Sequence, residues 1–277
     1  MLKPETAEKL EKLKRFVGSF KNAIIAFSGG VDSATLTAIC KQEIEDVLAV
    51  TIKTKATASR EIENAKRIAQ ELGISHEFLE LDVLKIKEFV ENSNERCYYC
   101  KKMMLKALVS VAENRGFEVV FEGTNASDII GDRPGFRAVL EEKKVLSPWV
   151  KFGVEKEEIR GIAKEMGFSF HDLPSLACLA TRIPYGLRIS PEILERIDRA
   201  ENVSLEILGV KNVRVRDLNG IAVIEVEQKE LSKVLDSQRL FELRKCLHEL
   251  GFRSVLLNLD GYGEGNAKNY SAFKLSE

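Results

Sequence analysis

Long apolar runs are missing from this 277-residue chain, and so is any excess of one charge. No stretch approaches the roughly 20 residues that a membrane-spanning helix needs. The opening Met1-Leu2-Lys3-Pro4 does not read as a secretion signal, so a cytoplasmic protein without membrane partners is expected. Lysine and arginine number 42 against 43 aspartates and glutamates, a net charge of −1. That balance leaves no basic footprint for bulk nucleic-acid binding. Five cysteines, at 40, 97, 100, 178 and 246, are too few and too unevenly spaced for a disulfide framework. The histidines at 76, 171 and 248 are scattered and read as structural or surface residues. Internal repeats and low-complexity tracts are absent. So is a G-x-x-x-x-G-K-[ST] string, which excludes a loop whose lysine clamps a γ-phosphate.

What is present is periodicity. Residues 5–20 read as an amphipathic helix, with Leu10, Leu13, Phe16 and Val17 on one side. Strands are expected at 23–27, 47–52, 76–81 and 119–121, with helices over 32–42 and 59–72 between them. Strands without clean alternation, separated by helical stretches, indicate a parallel sheet covered on both faces. Such a sheet binds ligands beyond the carboxyl ends of its strands. After a helix over 156–166 the pattern changes to helix 191–208, strands 212–217 and 221–226 joined at Asn219-Gly220, a helix across 230–250 and a strand 254–259. Asn-Gly between alternating runs signals a hairpin. The expected organisation is therefore a sheet domain over 1–172, a connecting loop over 173–190 and a small α+β domain over 191–277. Its glycine-rich tail from Gly261 is expected to be loop or partly disordered.

Ser28-Gly29-Gly30-Val31-Asp32-Ser33 lies directly after the first apolar strand and directly before a helix. A tight glycine turn there gathers backbone N–H groups and two serine hydroxyls at the positive end of a helix dipole, a nest that suits a pyrophosphate. Asp32, negative beside an anion, makes sense with Mg²⁺ between them, or as a first-turn acid favoured by the dipole. Arg96-Cys97-Tyr98-Tyr99-Cys100-Lys101 carries a C-x-x-C, which alone admits zinc, a redox pair or an iron–sulfur site. No second pair or neighbouring histidine completes a zinc site. Cys178, in the loop Pro174 to Gly186, is a third thiol or simply a small apolar side chain. Arg214 and Arg216 lie two apart on an expected strand, so both guanidinium groups leave one face. Capture of a phosphate and a solvated strand face are both compatible with that spacing. Cys40 and Cys246 fall on apolar helix faces and are expected to be inert.

The Ser28–Ser33 string resembles the PP-loop signature of the N-type ATP pyrophosphatases, which cut ATP between the α and β phosphates and transfer AMP to an oxygen. Together with Glu122-Gly123-Thr124-Asn125-Ala126-Ser127-Asp128, the Arg96 to Lys101 segment and Ala177 to Gly186, nearly the whole chain resembles the LarE family. These are ATP-dependent sulfur transferases of nickel-pincer nucleotide biosynthesis. The resemblance implies an α/β fold, a Rossmann-like, HUP-type PP-loop sheet with helices on both faces, followed by a smaller α+β domain. It implies adenylation of a carboxylate of pyridinium biscarboxylate mononucleotide and its conversion to a thiocarboxylate. One branch gives up the sulfur of a single cysteine, at the position of Cys178. Another has cysteines at the positions of Cys97, Cys100 and Cys178 and is associated with a [4Fe–4S] cluster, and this chain has all three.

The roles implied are as follows. Ser28, Gly29, Gly30 and Ser33 hold the leaving pyrophosphate, while Asp32 and Asp128 bind Mg²⁺. Ala26, Phe27 and Ile52 border the adenosine of ATP; Gly123 and Thr124 approach the ribose or α-phosphate. Arg182 offsets charge in the adenylation, Cys178 is the sulfur-bearing residue, and Arg214, Arg216, Glu201 and Glu225 bind substrate near a subunit interface of a homo-oligomer. A sulfide or other sulfur donor is the implied partner. Asp128 is equally readable as a cap of its local turn. A PP-loop tRNA thiolase, an amidotransferase-type ligase and a non-catalytic ATP-binding sensor share the first motif. The thiolase expects a basic surface or more cysteine pairs; the ligase and the sensor do not account for the cysteine trio.

Overall fold

The computed structural model describes residues 2–130, 133–262 and 270. In chain order its elements are helix α1 (Pro4–Val17), strand β1 (Asn22–Ala26), α2 (Val31–Glu43), β2 (Asp46–Lys53), α3 (Ser59–Leu72) and β3 (Ser75–Glu80). The short α4 (Lys87–Val90), the long α5 (Arg96–Arg115), β4 (Val119–Glu122), α6 (Pro134–Glu141), β5 (Val145–Leu146), α7 (Pro148–Lys151) and α8 (Lys156–Glu165) follow. The remainder is α9 (Pro191–Leu208), β6 (Val213–Asp217), β7 (Ile221–Val226), α10 (Leu231–Val234), α11 (Ser237–Glu249) and β8 (Ser254–Leu257). They form two compact units. Among the described residues no helix is long and apolar enough to cross a membrane.

The first unit comprises residues up to Thr54, Arg60–Asp82 and Cys97–Leu176. Its five strands are parallel, in the order β3-β2-β1-β4-β5. The sequence runs outward from β1 through β2 to β3 on one side, then resumes at β4 on the other. The switch point therefore lies between the carboxyl ends of β1 and β4, where open α/β sheets bind ligands. Ala23, Ile24 and Ile25 of β1 are all fully buried because alternate side chains enter two cores. Ala23 and Ile25 join a cluster with Leu13, Leu36, Ile39, Ile68 and Ile162. Ile24 joins Leu105, Leu108 and Ala112 of α5 in the other. Burial at this level is worth about 1.5–3 kcal/mol for each large aliphatic side chain.

The second unit is built from Lys55–Ser59, Val83–Arg96 and the residues from Ala177 onward. Its sheet has the order β6-β7-β8, with β6 and β7 antiparallel and β8 parallel to β7. The hairpin turn is the expected Asn219-Gly220, both at positive φ (51° and 85°), the conformation that a two-residue hairpin needs. Val213, Val215, Ala222, Ile224 and Val226 pack with Ala200, Leu243 and Leu247 of α9 and α11. Alternation then sends Arg214, Arg216 and Glu225 to the opposite face.

Where a connecting loop over 173–190 and a domain over 191–277 are expected, the second unit begins at Ala177 and takes in 55–59 and 83–96, whose backbone pairs with it through space. Differences among the elements are local. The helix across 230–250 is two helices, because Asp236 caps a new one by accepting a hydrogen bond from the Arg239 N–H at 2.8 Å. The first helix stops at Val17 rather than at residue 20, and β8 stops at Leu257. The two-residue β5 has too little sequence to show a period. Most of the tail from Gly261 lies outside the described residues.

Candidate active site

The Ser28–Ser33 loop turns the chain from the end of β1 into α2 and braces itself. The Ser28 N–H donates to Ser33 Oγ at 3.2 Å, the Gly30 N–H donates to Ser28 Oγ at 3.2 Å, and Ser33 Oγ donates to the Gly30 carbonyl at 3.1 Å. Gly29 has φ +70°, and a Cβ there would stand 2.6 Å from the Ala65 nitrogen of α3. Only glycine fits. Gly30 occupies the N-cap of α2 without a side-chain cap. The first-turn N–H groups, which no helix can satisfy internally, are left for a ligand. The loop forms one wall of an open cleft with a cavity volume of about 110 Å³, lined also by Glu61 and Asn64 of α3, by Lys156 and by Leu173 to Leu176.

Asp32 lies at the floor of this cleft. Its Oδ2 is paired with the Lys156 ammonium, whereas its Oδ1 is buried and accepts no hydrogen bond. Burial pushes its pKa above the usual carboxylate range, with Asp128 adding to the rise and Lys156 opposing it. A buried carboxylate oxygen with an empty coordination position, beside an anion nest, fits a hard cation such as Mg²⁺. Asp128 is close enough for its charge to bear on Asp32. It also closes a capping box with Asn125, its Oδ2 accepting from Asn125 Nδ2 at 2.6 Å and its N–H donating to Asn125 Oδ1 at 3.1 Å.

At the end of β4 a buried carboxylate, Glu122, gathers Lys101 (3.0 Å), the Thr124 hydroxyl (2.7 Å) and the Ser147 hydroxyl. Burial alone would raise its pKa; the Lys101 ammonium and these hydroxyls outweigh that and hold it below its ordinary 4.5. Next in sequence, Gly123 lies against the loop, for a Cβ there would meet the Ser33 nitrogen at 3.0 Å. Gly123 is thus brought against the nest, and Thr124, next in sequence, is held on Glu122 by its hydroxyl. Phe27 is buried. Its N–H donates to the Val50 carbonyl (2.9 Å) and its carbonyl accepts from Thr51 Oγ1 (2.7 Å). Ala26 and Ile52 are half-buried beside it.

In the second unit three arginines face two glutamates. Arg182 is fully buried, its Nε 2.7 Å from Glu201, with further bonds to the Ala177 carbonyl (2.9 Å) and to Thr181 Oγ1 (2.8 Å). Arg216 pairs with Glu225 at 2.8 Å and donates to the Thr181 carbonyl at 2.9 Å. Arg214 is buried, stacked on the Tyr262 ring at 3.8 Å. Among the described residues no carboxylate pairs with it. Its pKa is pushed down to about 10, first by burial and then by the neighbouring Arg182 charge. A buried guanidinium of this kind has the chemistry to take an anion. The Arg214 and Arg216 guanidinium groups do share a face, but among the described residues only Arg216 of the two pairs with a carboxylate. Glu201 and Glu225 serve here as counter-ions.

Cys97 and Cys100 open helix α5 in the first unit, Cys97 exposed and Cys100 half-buried, while Cys178 is exposed in the second unit. The Cys178 side chain is near enough to raise the Arg182 pKa, behind the larger effects of burial and Glu201. Three thiols of this accessibility are chemically suited to iron. Among the described residues no group of three or more His, Cys, Asp or Glu side chains forms a metal site. Cys40 is fully buried and its thiol is pushed far up by burial, as expected of an inert cysteine. Sequence reasoning does not single out Lys101, Glu122, Ser147 or Lys156. A glutamate closing the apolar Val119-Val120-Phe121 strand is a usable signal for Glu122; nothing local marks Lys156, which is 124 residues from Asp32.

Comparison with known proteins is consistent with this geometry. The family model described as queuosine biosynthesis protein QueC matches residues 22–97, which include the glycine loop. An uncharacterised protein of Methanocaldococcus jannaschii is 38% identical over 258 residues, covering 92% of this chain and 97% of its own length. An uncharacterised protein of Synechocystis is 34% identical over 93% of this chain and 96% of itself. The pyridinium-3,5-bisthiocarboxylic acid mononucleotide synthase of Lactiplantibacillus plantarum is 29% identical over 94% of this chain and 93% of its own length.

Proposed function

The chain belongs to the LarE family of PP-loop, ATP-dependent enzymes, and from that premise we propose that it adenylates a carboxylate of pyridinium biscarboxylate mononucleotide and converts it to a thiocarboxylate. The observation that carries the first half is the Ser28–Ser33 nest with a buried, unsatisfied Asp32 oxygen beside it. Nest N–H groups and the Ser28 and Ser33 hydroxyls hold the β and γ phosphates. Asp32, with Asp128, would hold Mg²⁺, which offsets the charge of the phosphates when bound. Gly123 and Thr124 approach the ribose or α-phosphate, and Ala26, Phe27 and Ile52 border the adenosine. A substrate carboxylate oxygen then attacks the α-phosphorus, the bond to the bridging oxygen breaks and pyrophosphate departs.

The second unit supplies the other groups. Arg214 binds the substrate's phosphate, with Arg216 set by Glu225 at its side. Arg182, locked on Glu201, fixes the Ala177 carbonyl and lends positive charge to the Cys178 sulfur. Cys97, Cys100 and Cys178 would hold a [4Fe–4S] cluster that, when bound, supplies sulfide from an external donor to the acyl carbon as AMP leaves. A second reading is favoured by the exposure of Cys178 beside Arg182: its own thiolate attacks the acyl carbon as AMP leaves, and loss of the Cα proton with cleavage of the Cβ–S bond gives the thiocarboxylate and dehydroalanine. Assembly of copies into a homo-oligomer through the smaller unit is part of the same reading.

The test is turnover of ATP with the pyridinium mononucleotide under anaerobic conditions. Pyrophosphate and AMP, without orthophosphate, are expected; orthophosphate as product overturns the adenylation reading. Mass spectrometry of Cys178 after turnover separates the sulfur sources. An intact thiol with iron and sulfide bound supports the cluster, and a loss of H₂S mass supports sacrifice.

A further inference from the structure

The adenylating loop lacks the lysine that P-loops place on their phosphates, yet the leaving pyrophosphate needs cations. Among the described residues lining the cleft, Lys156 alone carries a positive side-chain charge, against the carboxylates of Asp32 and Glu61. Lys156 is the first residue of α8. Its N–H donates to Ser127 Oγ at 3.2 Å, which fixes the start of the helix. Four residues on, Arg160 donates to the His171 and Leu173 carbonyls at 2.7 Å each and ties down the opposite wall of the cleft. The lysine is thus held by a rigid element, with its ammonium on the Asp32 carboxylate.

We propose that Lys156 is a pyrophosphate-binding residue, an ammonium reaching the nest from α8 that passes from Asp32 to the β and γ phosphates when nucleotide and Mg²⁺ enter. Two features of the cleft support the exchange. The Asp32 pair is the position that a metal ion would claim, which frees the ammonium. The Lys156 side chain is one-quarter exposed and on a flexible four-carbon stem, so its head can shift without moving α8. In the unliganded site the pair offsets the burial of Asp32; in the liganded site the same lysine offsets charge on the leaving group, where stabilisation lowers the barrier.

This inference rests on the nucleotide reading above, and calorimetry of inorganic pyrophosphate, Mg²⁺·ATP and AMP separates the two. K156M should weaken pyrophosphate and ATP binding about 10-fold or more, with AMP unchanged within 2-fold. Equal weakening of all three, or of none, overturns the lysine's role. Wild-type protein that binds no pyrophosphate overturns the nucleotide reading as well. A second measurement needs no variant. Amine-modifying reagent followed by peptide mapping should show Lys156 protected by Mg²⁺·pyrophosphate and not by AMP; equal modification with both ligands overturns the proposal.

Discussion

At the scale of single residues, the decisive property is whether a buried charge has a partner. Arg214 and Arg216 are two residues apart on one strand face, yet among the described residues only Arg216 pairs with a carboxylate, that of Glu225. Breaking a buried pair strands the remaining charge, whereas removing a lone buried charge relieves its desolvation. Arg216→Met is therefore expected to cost about 3 kcal/mol. Arg214→Met should leave the thermal midpoint unchanged or higher while raising the KM for the phosphate-bearing substrate about 10-fold or more. Thermal denaturation and steady-state kinetics on both variants check this. Glu122 gives a pH prediction. Its folded pKa lies below the ordinary 4.5, so its ionised form contributes stability above 4.5 that is lost as pH falls through the folded value. Glu122→Gln should cost about 3 kcal/mol at neutral pH, and the gap from wild type should narrow in urea titrations below pH 4.5.

Elements set how closely these residues approach. Helix α3 packs onto the glycine loop so tightly that Gly29 has backbone, not side chain, at 2.6–2.7 Å from where a Cβ would be. Positive φ adds about 1–2 kcal/mol of strain for any other residue. Gly29→Ala should therefore lose about 3 kcal/mol of stability and most of its ATP affinity, measured by urea unfolding and calorimetry; an unchanged ATP affinity would show that the loop tolerates displacement from α3. Periodicity made the strands and helices of both sheets legible: α3 and α9 have the expected bounds, 59–72 and 191–208. It could not reveal the break at Asp236, because Leu235 and the residues around it keep an apolar spacing while a side-chain cap restarts the helix.

At the scale of the molecule, the second unit is discontinuous in sequence. Leu179 donates its N–H to the Ala56 carbonyl at 3.0 Å and Ile189 donates to Val90 at 2.9 Å. The Asn92 amide donates to the Pro184 carbonyl at 2.7 Å and to Leu187 at 2.9 Å. A fragment beginning at Ala177 lacks all of these partners and the buried Phe89. It is expected to unfold at lower temperature and less cooperatively than the same unit within the full chain, by circular dichroism and calorimetry. An equally cooperative and stable fragment would mean that 55–59 and 83–96 are dispensable.

The sequence alone determined the glycine nest, the parallel sheet that presents it, the Asn-Gly hairpin and the candidate thiols. Each depends on local signals: period, glycine at positive φ, a helix start. Tertiary structure alone decided that Lys156 meets Asp32, that Glu122 collects Lys101, Thr124 and Ser147, and that Arg182 and Arg216 have counter-ions while Arg214 has none among the described residues. Counter-ion pairing and desolvation act through space between residues up to 124 positions apart, and no period along the chain encodes them.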